Sequence, residues 1–266
     1  MIRVGVIGAA GRMGRVVCRA VASAEELELV AAIDRSHVRE RVDELTGAPS
    51  GELTVEARLE ALADAGADVA IEFTHPETVI RNLTWCIDHG VHAVVGTTGI
   101  APDDLETIRA AVARDDRPNA VVASNFALGA VLMMRFAAEA ARYFAAAEVI
   151  ELHHDDKVDA PSGTSLSTVR AIHAARRGAW RGPTAESLDG VRGGDADGVR
   201  VHSVRLPGLL AHQEVIFGAT GETLTIRHDS TDRTSFMPGV LLAVRAVAGR
   251  PGLTVGLEPL LADVAR

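Results

Sequence analysis

The chain has 266 residues, 47% apolar and 24% charged, and a formal net charge of −9. That is ordinary globular composition with room for a large core and one or two domains. The acidic balance and the few aromatic residues (two Trp, one Tyr, six Phe) exclude the basic footprint and stacking platforms of a nucleic-acid binder, and an anionic ligand would need local positive charge against the overall field.

Arg3 to Ile7 reads as a buried strand, without the charged-then-apolar layout of a secretory signal before it. Gly8-Ala9-Ala10-Gly11-Arg12-Met13-Gly14 follows as a turn. Met13, Val16, Val17, Ala20 and Val21 then repeat at helical spacing, and Leu27 to Ile33 forms a second strand ending at Asp34-Arg35. This is the size of one βαβ module. Asp68 to Phe73 is strand-like, Glu77 to Asp88 helix-like, and Val91 to Val95 strand-like, with a turn at Gly96-Thr97-Thr98-Gly99. A helix over Asp103 to Arg114 and a strand over Ala120 to Ala123 complete the alternation, which ends at Ser124-Asn125-Phe126. Such alternation implies a parallel sheet covered on both faces, with all strand–helix turns at one edge.

The pattern changes after about residue 127. A helix is expected over Ala127 to Phe144, a strand over Val149 to His153 and a helix over Ser165 to Arg176. Gly178 to Gly198 reads as a loop. Val199 to Arg205, Gln213 to Gly218 and Glu222 to His228 alternate like antiparallel strands. Pro238 to Ala248 reads as a helix and Leu253 to Leu261 as an extended segment, both able to return to the first domain. No apolar run reaches the ~18 residues of a membrane span; even Ala127 to Ile150 is broken by Arg135, Glu139 and Arg142. The expectation is a soluble, cytoplasmic α/β protein. Its N-terminal domain is a Rossmann-like doubly wound parallel sheet (1–126 plus 237–266). Its second domain, for substrate and oligomerisation (127–236), is α+β with an open mixed or antiparallel sheet. Cys18 and Cys86 lie in apolar helical runs and read as core residues, not ligands or a disulfide.

Two segments carry chemistry. Glycines at a strand–helix junction allow a pyrophosphate close to a helix N-terminus. The spacing here, Gly8-x-x-Gly11-x-x-Gly14, departs from the usual Gly-x-Gly-x-x-Gly. Asp34, at the end of the second strand, sits where an acid takes the ribose hydroxyls. Its carboxylate favours NADH, whereas Arg12 or Arg35 could hold the 2′-phosphate of NADPH; the expectation is that either is used. Gly96-Thr97-Thr98 and Ala123-Ser124-Asn125-Phe126 end later strands, at the edge that faces the cofactor crevice of a doubly wound sheet. The other segment is Glu151-Leu-His153-His154-Asp-Asp-Lys157-Val-Asp-Ala-Pro161-Ser162-Gly163-Thr164. His153, His154 or Lys157 could supply a proton near neutral pH. Alternation on a strand gives the two histidines different roles unless the strand bends. The N–H groups and hydroxyls of Ser162-Gly163-Thr164 suit a carboxylate. No third histidine or glutamate stands at metal-ligand spacing, and Lys157 would repel a cation, so no metal is expected. His173, His202, His212 and His228 lack a comparable setting and read as surface or structural residues.

These residues resemble the 4-hydroxy-tetrahydrodipicolinate reductase (dihydrodipicolinate reductase) family over essentially the whole length. The likeness rests on Gly8–Gly14, Phe73-Thr-His-Pro76, Val95-Gly-Thr-Thr-Gly99, Asn125-Phe126, the run from Glu151 to Thr164, and Arg227-His-Asp-Ser-Thr-Asp-Arg-Thr-Ser-Phe236. The resemblance implies reduction of a cyclic dicarboxylate by NAD(P)H with loss of water, in lysine and diaminopimelate biosynthesis. It implies His153 as proton donor and acceptor and Lys157 as proton donor. His154, Ser162, Gly163, Thr164 and Thr98 would bind substrate. Gly8 to Met13, Asp34, Arg35, Gly96 to Thr98 and Ala123 to Phe126 would bind NADH or NADPH. It also implies a homotetramer assembled through the second domain, and a hinge that closes over both ligands. Ser124 and Ser165 depart from the family's usual residues, and neither change removes a catalytic group. The competing readings are another NAD(P)-dependent dehydrogenase of the same architecture and a non-catalytic nucleotide-sensing module. A semialdehyde enzyme acting through a thioester needs a cysteine at the crevice, where neither Cys18 nor Cys86 is placed.

Overall fold

The computed structural model describes residues 1–113, 118–176, 178, 182 and 185–264. The chain divides into two compact units, Met1–Phe126 with Phe236–Arg266, and Ala127–Ser235. In chain order the first unit opens with β1 (Ile2–Ile7), α1 (Arg12–Ala22), β2 (Leu27–Ile33), α2 (Val42–Thr46), β3 (Val55–Glu56) and α3 (Glu60–Asp64). It continues with β4 (Val69–Glu72), α4 (Pro76–Asp88), β5 (His92–Val95), α5 (Pro102–Ala111) and β6 (Ala120–Val122). The second unit contains α6 (Leu128–Ala140), β7 (Ala146–His153), α7 (Gly163–Ala175), β8 (Gly194–Ala196), β9 (Val199–Arg205), β10 (Ala211–Ala219) and β11 (Glu222–Ser230). The tail returns to the first unit as α8 (Met237–Val247), β12 (Leu253–Val255) and α9 (Glu258–Val264).

Among the described residues the first unit's sheet has seven strands, all parallel, in the order β12-β6-β5-β4-β1-β2-β3. Strand order reverses between β1 and β4, the switch point of a doubly wound sheet and the usual ligand crevice. Burial on both faces explains why residues 4–7 of β1 and 69–71 of β4 carry no charge: Val4, Val6, Ala70 and Ile71 have no exposed surface. Helices α4 and α5 start on prolines, Pro76 and Pro102, whose fixed φ suits the first helical turn. Gly8 takes φ +85°, and a Cβ there would meet the Phe73 carbonyl oxygen at 2.3 Å. A Cβ on Gly14 would lie 1.9 Å from the Gly8 carbonyl oxygen, so only glycine lets α1 come this close to the end of β1.

In the second unit β7 is central to a five-stranded mixed sheet, β11-β10-β7-β9-β8. Met133 and Ala137 from α6 and Val169 and Ile172 from α7 pack on Val149, Val201, Val215 and Phe217. Val149, Glu151 and His153 alternate along β7, so all three point to this helix-covered face.

Several expectations change. The strand over 199–205, read as antiparallel, is so only to β8: β9 runs parallel to β7, while β10 pairs antiparallel on β7's other side. Helix α7 lies between β7 and β9 in sequence and supplies the crossover that parallel pairing needs. The extended segment over 253–261 is a strand of three residues followed by α9. The expected helix over 127–144 ends at Ala140, with Ala141 to Tyr143 in turns. Of the helix expected to Arg114, the end lies outside the described residues, as do 179–181 and 183–184 of the expected loop; β8 lies in that loop's described part. Helices α2 and α3, five residues each, and the two-residue β3 were not foreseen, because such lengths show no period. No helix among the described residues is long and apolar enough to cross a membrane.

The close approach of α1 to β1 makes Gly14→Ala a direct test of the turn. Overpacking here should destabilise the protein by about 1–3 kcal/mol, read as a lower urea midpoint at unchanged slope.

Candidate active site

A cavity of about 870 Å³ opens in the first unit at the C-terminal ends of its strands. Gly8, Ala10, Gly11, Arg12 and Met13 form one wall of it, and Asp34 and Arg35 another. Gly96, Thr97, Thr98, Ser124, Asn125 and Phe126 also line it. The cradle of Gly8 and Gly11 leads into α1, whose N-cap, Gly11, makes no side-chain capping bond. That leaves the helix N-terminus without a side-chain cap, so that its backbone N–H groups can receive a pyrophosphate. The residues present therefore fit a dinucleotide.

Not every expected residue contributes in the expected way. Ala9 and Ala123 are buried and lie outside the cavity lining, and their N–H groups donate to Ile33 (3.0 Å) and Val95 (3.0 Å) within the sheet. The Asp34 carboxylate accepts from the N–H of Ala10 at 3.0 Å and from the N–H and hydroxyl of Ser36 at 2.9 and 2.8 Å. It thus pins the glycine turn as well as lining the cavity. Arg12 and Arg35 are exposed. The Thr97 hydroxyl is directed inward, donating to Glu72 at 2.5 Å and accepting from the Thr74 N–H at 2.8 Å, whereas Thr98 is exposed.

Glu72 was not anticipated. It ends β4 with 1% of its surface exposed and also accepts from the Thr74 hydroxyl and from Asn82. Phe73, Thr74 and His75 line the cavity too. Their signal was the strand-end rule that singled out Gly96 and Ser124: β4 lies between β1 and β5, so its C-terminal end shares their edge. A Cβ on Gly96 would lie 2.1 Å from the Phe73 ring, which stands 5.9 Å from that of Phe126.

The second unit gathers the run from Glu151 to Thr164 around the end of β7. His153 Nδ1 is in hydrogen-bond contact with Glu151, and Arg205 grips the same carboxylate through two bonds of 3.0 and 2.8 Å. Glu151 has no exposed surface. Burial alone would raise its pKa, but hydrogen bonds from His153, Arg205 and Ser203 outweigh it and hold the group at about 2. Strand β7 stops at His153, so His154 stands in the following turn, where its carbonyl accepts from the Lys157 N–H at 3.2 Å. Lys157 Nζ donates to Asp159 at 2.7 Å, and its side chain is 21% exposed; that bond lowers the Asp159 pKa. After the cis Ala160–Pro161 bond, Ser162 caps α7. Its hydroxyl accepts from the Ser165 N–H at 3.2 Å and contacts the Ser165 hydroxyl at 2.8 Å, and Ser165 donates to Gln213 at 2.7 Å. The Ser162 hydroxyl is therefore committed internally, and the helix opens at Gly163, two residues before the expected start. Gly163 is exposed and Thr164 half-buried at the positive end of α7.

Elsewhere, His173 contacts the Asp197 carbonyl, His202 contacts Glu148 and His212 contacts Asp229. Cys18 and Cys86 are buried, and burial pushes both thiols up to about 12, with Glu72 adding to the rise at Cys86. Neither can serve as a thiolate nucleophile. Among the described residues no three His, Cys, Asp or Glu side chains are grouped to hold a metal ion.

Two family models match the chain, "Dihydrodipicolinate reductase, N-terminus" over residues 2–126 and "Dihydrodipicolinate reductase, C-terminus" over residues 129–261. The 4-hydroxy-tetrahydrodipicolinate reductase of Nocardia farcinica is 52% identical over 264 residues, covering 98% of each chain. That of Mycolicibacterium vanbaalenii is 52% identical over 262 residues, covering 98% of this chain and 99% of the relative. Among solved structures, a dipicolinate-bound dihydrodipicolinate reductase from Paenisporosarcina sp. TG-14 aligns with a TM-score of 0.85 and 41% identity, covering 97% of this chain and 99% of the other.

Glu151 also sets a pH dependence of stability. Its folded-state pKa is depressed from 4.5 to about 2, so its contribution is present above the unfolded value and is lost as pH falls between the two. In Glu151→Gln, which cannot titrate, the melting temperature should fall less steeply than in the wild type from about pH 4.5 to about pH 2; calorimetry across that range checks the slope.

Proposed function

The chain belongs to the dihydrodipicolinate reductase family, and from that membership we propose how its residues carry the reaction. The protein is an oxidoreductase that reduces 4-hydroxy-tetrahydrodipicolinate to tetrahydrodipicolinate with NAD(P)H, in lysine and diaminopimelate biosynthesis. One water leaves the substrate, and a hydride and a proton are added. A bound reduced nicotinamide supplies the hydride.

In this reading Gly8, Ala10, Gly11, Arg12 and Met13 receive the pyrophosphate at the N-terminus of α1. Asp34 and Arg35 meet the adenosine ribose. Gly96 to Thr98 and Ser124 to Phe126 flank the nicotinamide half. His153 supplies the proton. The Lys157 ammonium, with the exposed Gly163 and the neighbouring Thr164 and His154, binds the substrate's carboxylates and is the alternative proton source. A dicarboxylate suits this set because a cation and a helix N-terminus lie in one short segment. The carrying observation is the buried anchor of His153: a histidine held by an ionised, fully buried carboxylate is arranged for proton transfer, not merely for packing. Either cofactor is used: Asp34 favours the free ribose of NADH, while the exposed Arg12 and Arg35 can pair with the 2′-phosphate of NADPH. The protein assembles as a homotetramer, a reading that sedimentation velocity tests and a monomer would refute.

The test is oxidation of NADH and NADPH in the presence of freshly condensed pyruvate and aspartate semialdehyde. Turnover is expected with both, at kcat/KM values within about a thousandfold, roughly 4 kcal/mol. His153→Gln should lower kcat by about 100-fold or more with little change in cofactor Kd. Near wild-type kcat in that variant would remove His153 from the mechanism.

A further inference from the structure

The two candidate proton sources, His153 and Lys157, lie four residues apart in sequence, on a strand end and in an irregular loop. Neither setting holds a side chain still by itself. The structure places one guanidinium between them. Arg205, in β9 beside β7, meets both Glu151 oxygens, which fork-to-fork pairing makes geometrically specific. The same group donates to the Asp159 carbonyl at 2.6 Å and to the Lys157 carbonyl at 3.3 Å. Its side chain is 18% exposed.

Chemistry then assigns the imidazole's tautomer. Glu151 is ionised at neutral pH, and an ionised carboxylate only accepts hydrogen bonds. The proton in its contact with His153 therefore sits on Nδ1. Nε2 is left to exchange protons, and it has no hydrogen-bond partner among the described residues. As the hydride brings an electron pair to the substrate, imidazolium can give its Nε2 proton and become the neutral imidazole, with Nδ1–H still donated to Glu151. We propose that Glu151 and Arg205 form a positioning pair: Glu151 fixes the ring and tautomer of His153, and Arg205 locks Glu151 while tethering the backbone that carries Lys157. This rests on the role assigned above to His153. It adds two residues that need not touch the substrate, and it predicts that they fail differently.

The experiment compares Arg205→Lys with the double variant Glu151→Leu/Arg205→Met. The double variant removes both charges together, so neither is left buried without its partner. Melting curves, kcat and KM are measured, and the His153 ring is read by 15N–1H correlation spectra of histidine-labelled protein, assigned by its absence in His153→Gln. The wild type should show the Nδ1–H tautomer whenever the ring is neutral. The double variant should melt within about 5 °C of it, lose that single tautomer and drop kcat by about 100-fold or more. Arg205→Lys keeps a cation beside Glu151 and should retain the tautomer. It should raise substrate KM by about tenfold, because the tether on Lys157 is lost. A folded double variant with the wild-type tautomer or wild-type kcat overturns the proposal. If the double variant does not fold, an Arg205→Lys enzyme with unaltered KM and kcat overturns it instead. Should His153→Gln keep full activity, the reaction role of His153 falls, and the tautomer spectra still decide whether the pair positions the ring.

Discussion

Glu151 remains an ionised carboxylate with no exposed surface because His153 and Arg205 close around it. Taking a carboxylate out of water costs several kcal/mol, recovered only when its oxygens are filled by good donors. That condition makes the geometry around the end of β7 strict. The donors have to stand where they do, so the imidazole and the Lys157 loop inherit fixed positions from a group that has no access to solvent. Gln213, opposite Glu151 on β10, extends the arrangement. It accepts from Ser165 and donates to Thr168 at 2.7 Å, both on α7, so the start of that helix is fastened to the same sheet.

The first unit repeats the device with different partners. Glu72 ends β4 as Glu151 nears the end of β7, and it too is enclosed. Its oxygens take hydroxyl groups from Thr74 and Thr97 and an amide from Asn82, tying the loops after β4 and β5 to α4. The cavity wall at Gly96 to Thr98 is thus built from beneath by polar bonds and by the Phe73 ring, which occupies the space a side chain on residue 96 would need. Each unit thus holds a carboxylate hidden from solvent whose oxygens accept from side chains of neighbouring elements.

Much of this was legible because local pattern and global fold agree. Unbroken apolar strands, helices begun by Pro76 and Pro102, and glycines at the β1–α1 junction all point to one doubly wound sheet. The Glu151–Thr164 run stood out as a candidate through residue types alone. What could not be read had physical reasons. The partner of Glu151 lies 54 positions away at Arg205, and no local pattern connects strands joined by a crossover helix. Ser162 looked like a ligand because hydroxyls suit anions, yet the same hydroxyl is the best available cap for α7. Glu72 looked like the polar end of a strand, since nothing in Val69–Glu72 tells that Thr97 will cover it. The parallel pairing of β9 with β7 was hidden because alternation reports which face a residue takes, not the direction of its neighbour.

The two thiols extend the picture to the folded chain's motions. Cys18 sits on α1 and Cys86 on α4, both enclosed in the first unit and both far from ionising at neutral pH. A maleimide or disulfide reagent therefore finds no reactive sulfur in the intact molecule, and modification has to wait until a helix lifts away from the sheet. With no cysteine in the second unit, the labelling rate becomes a clock for opening of the first unit alone, obtained without introducing a probe.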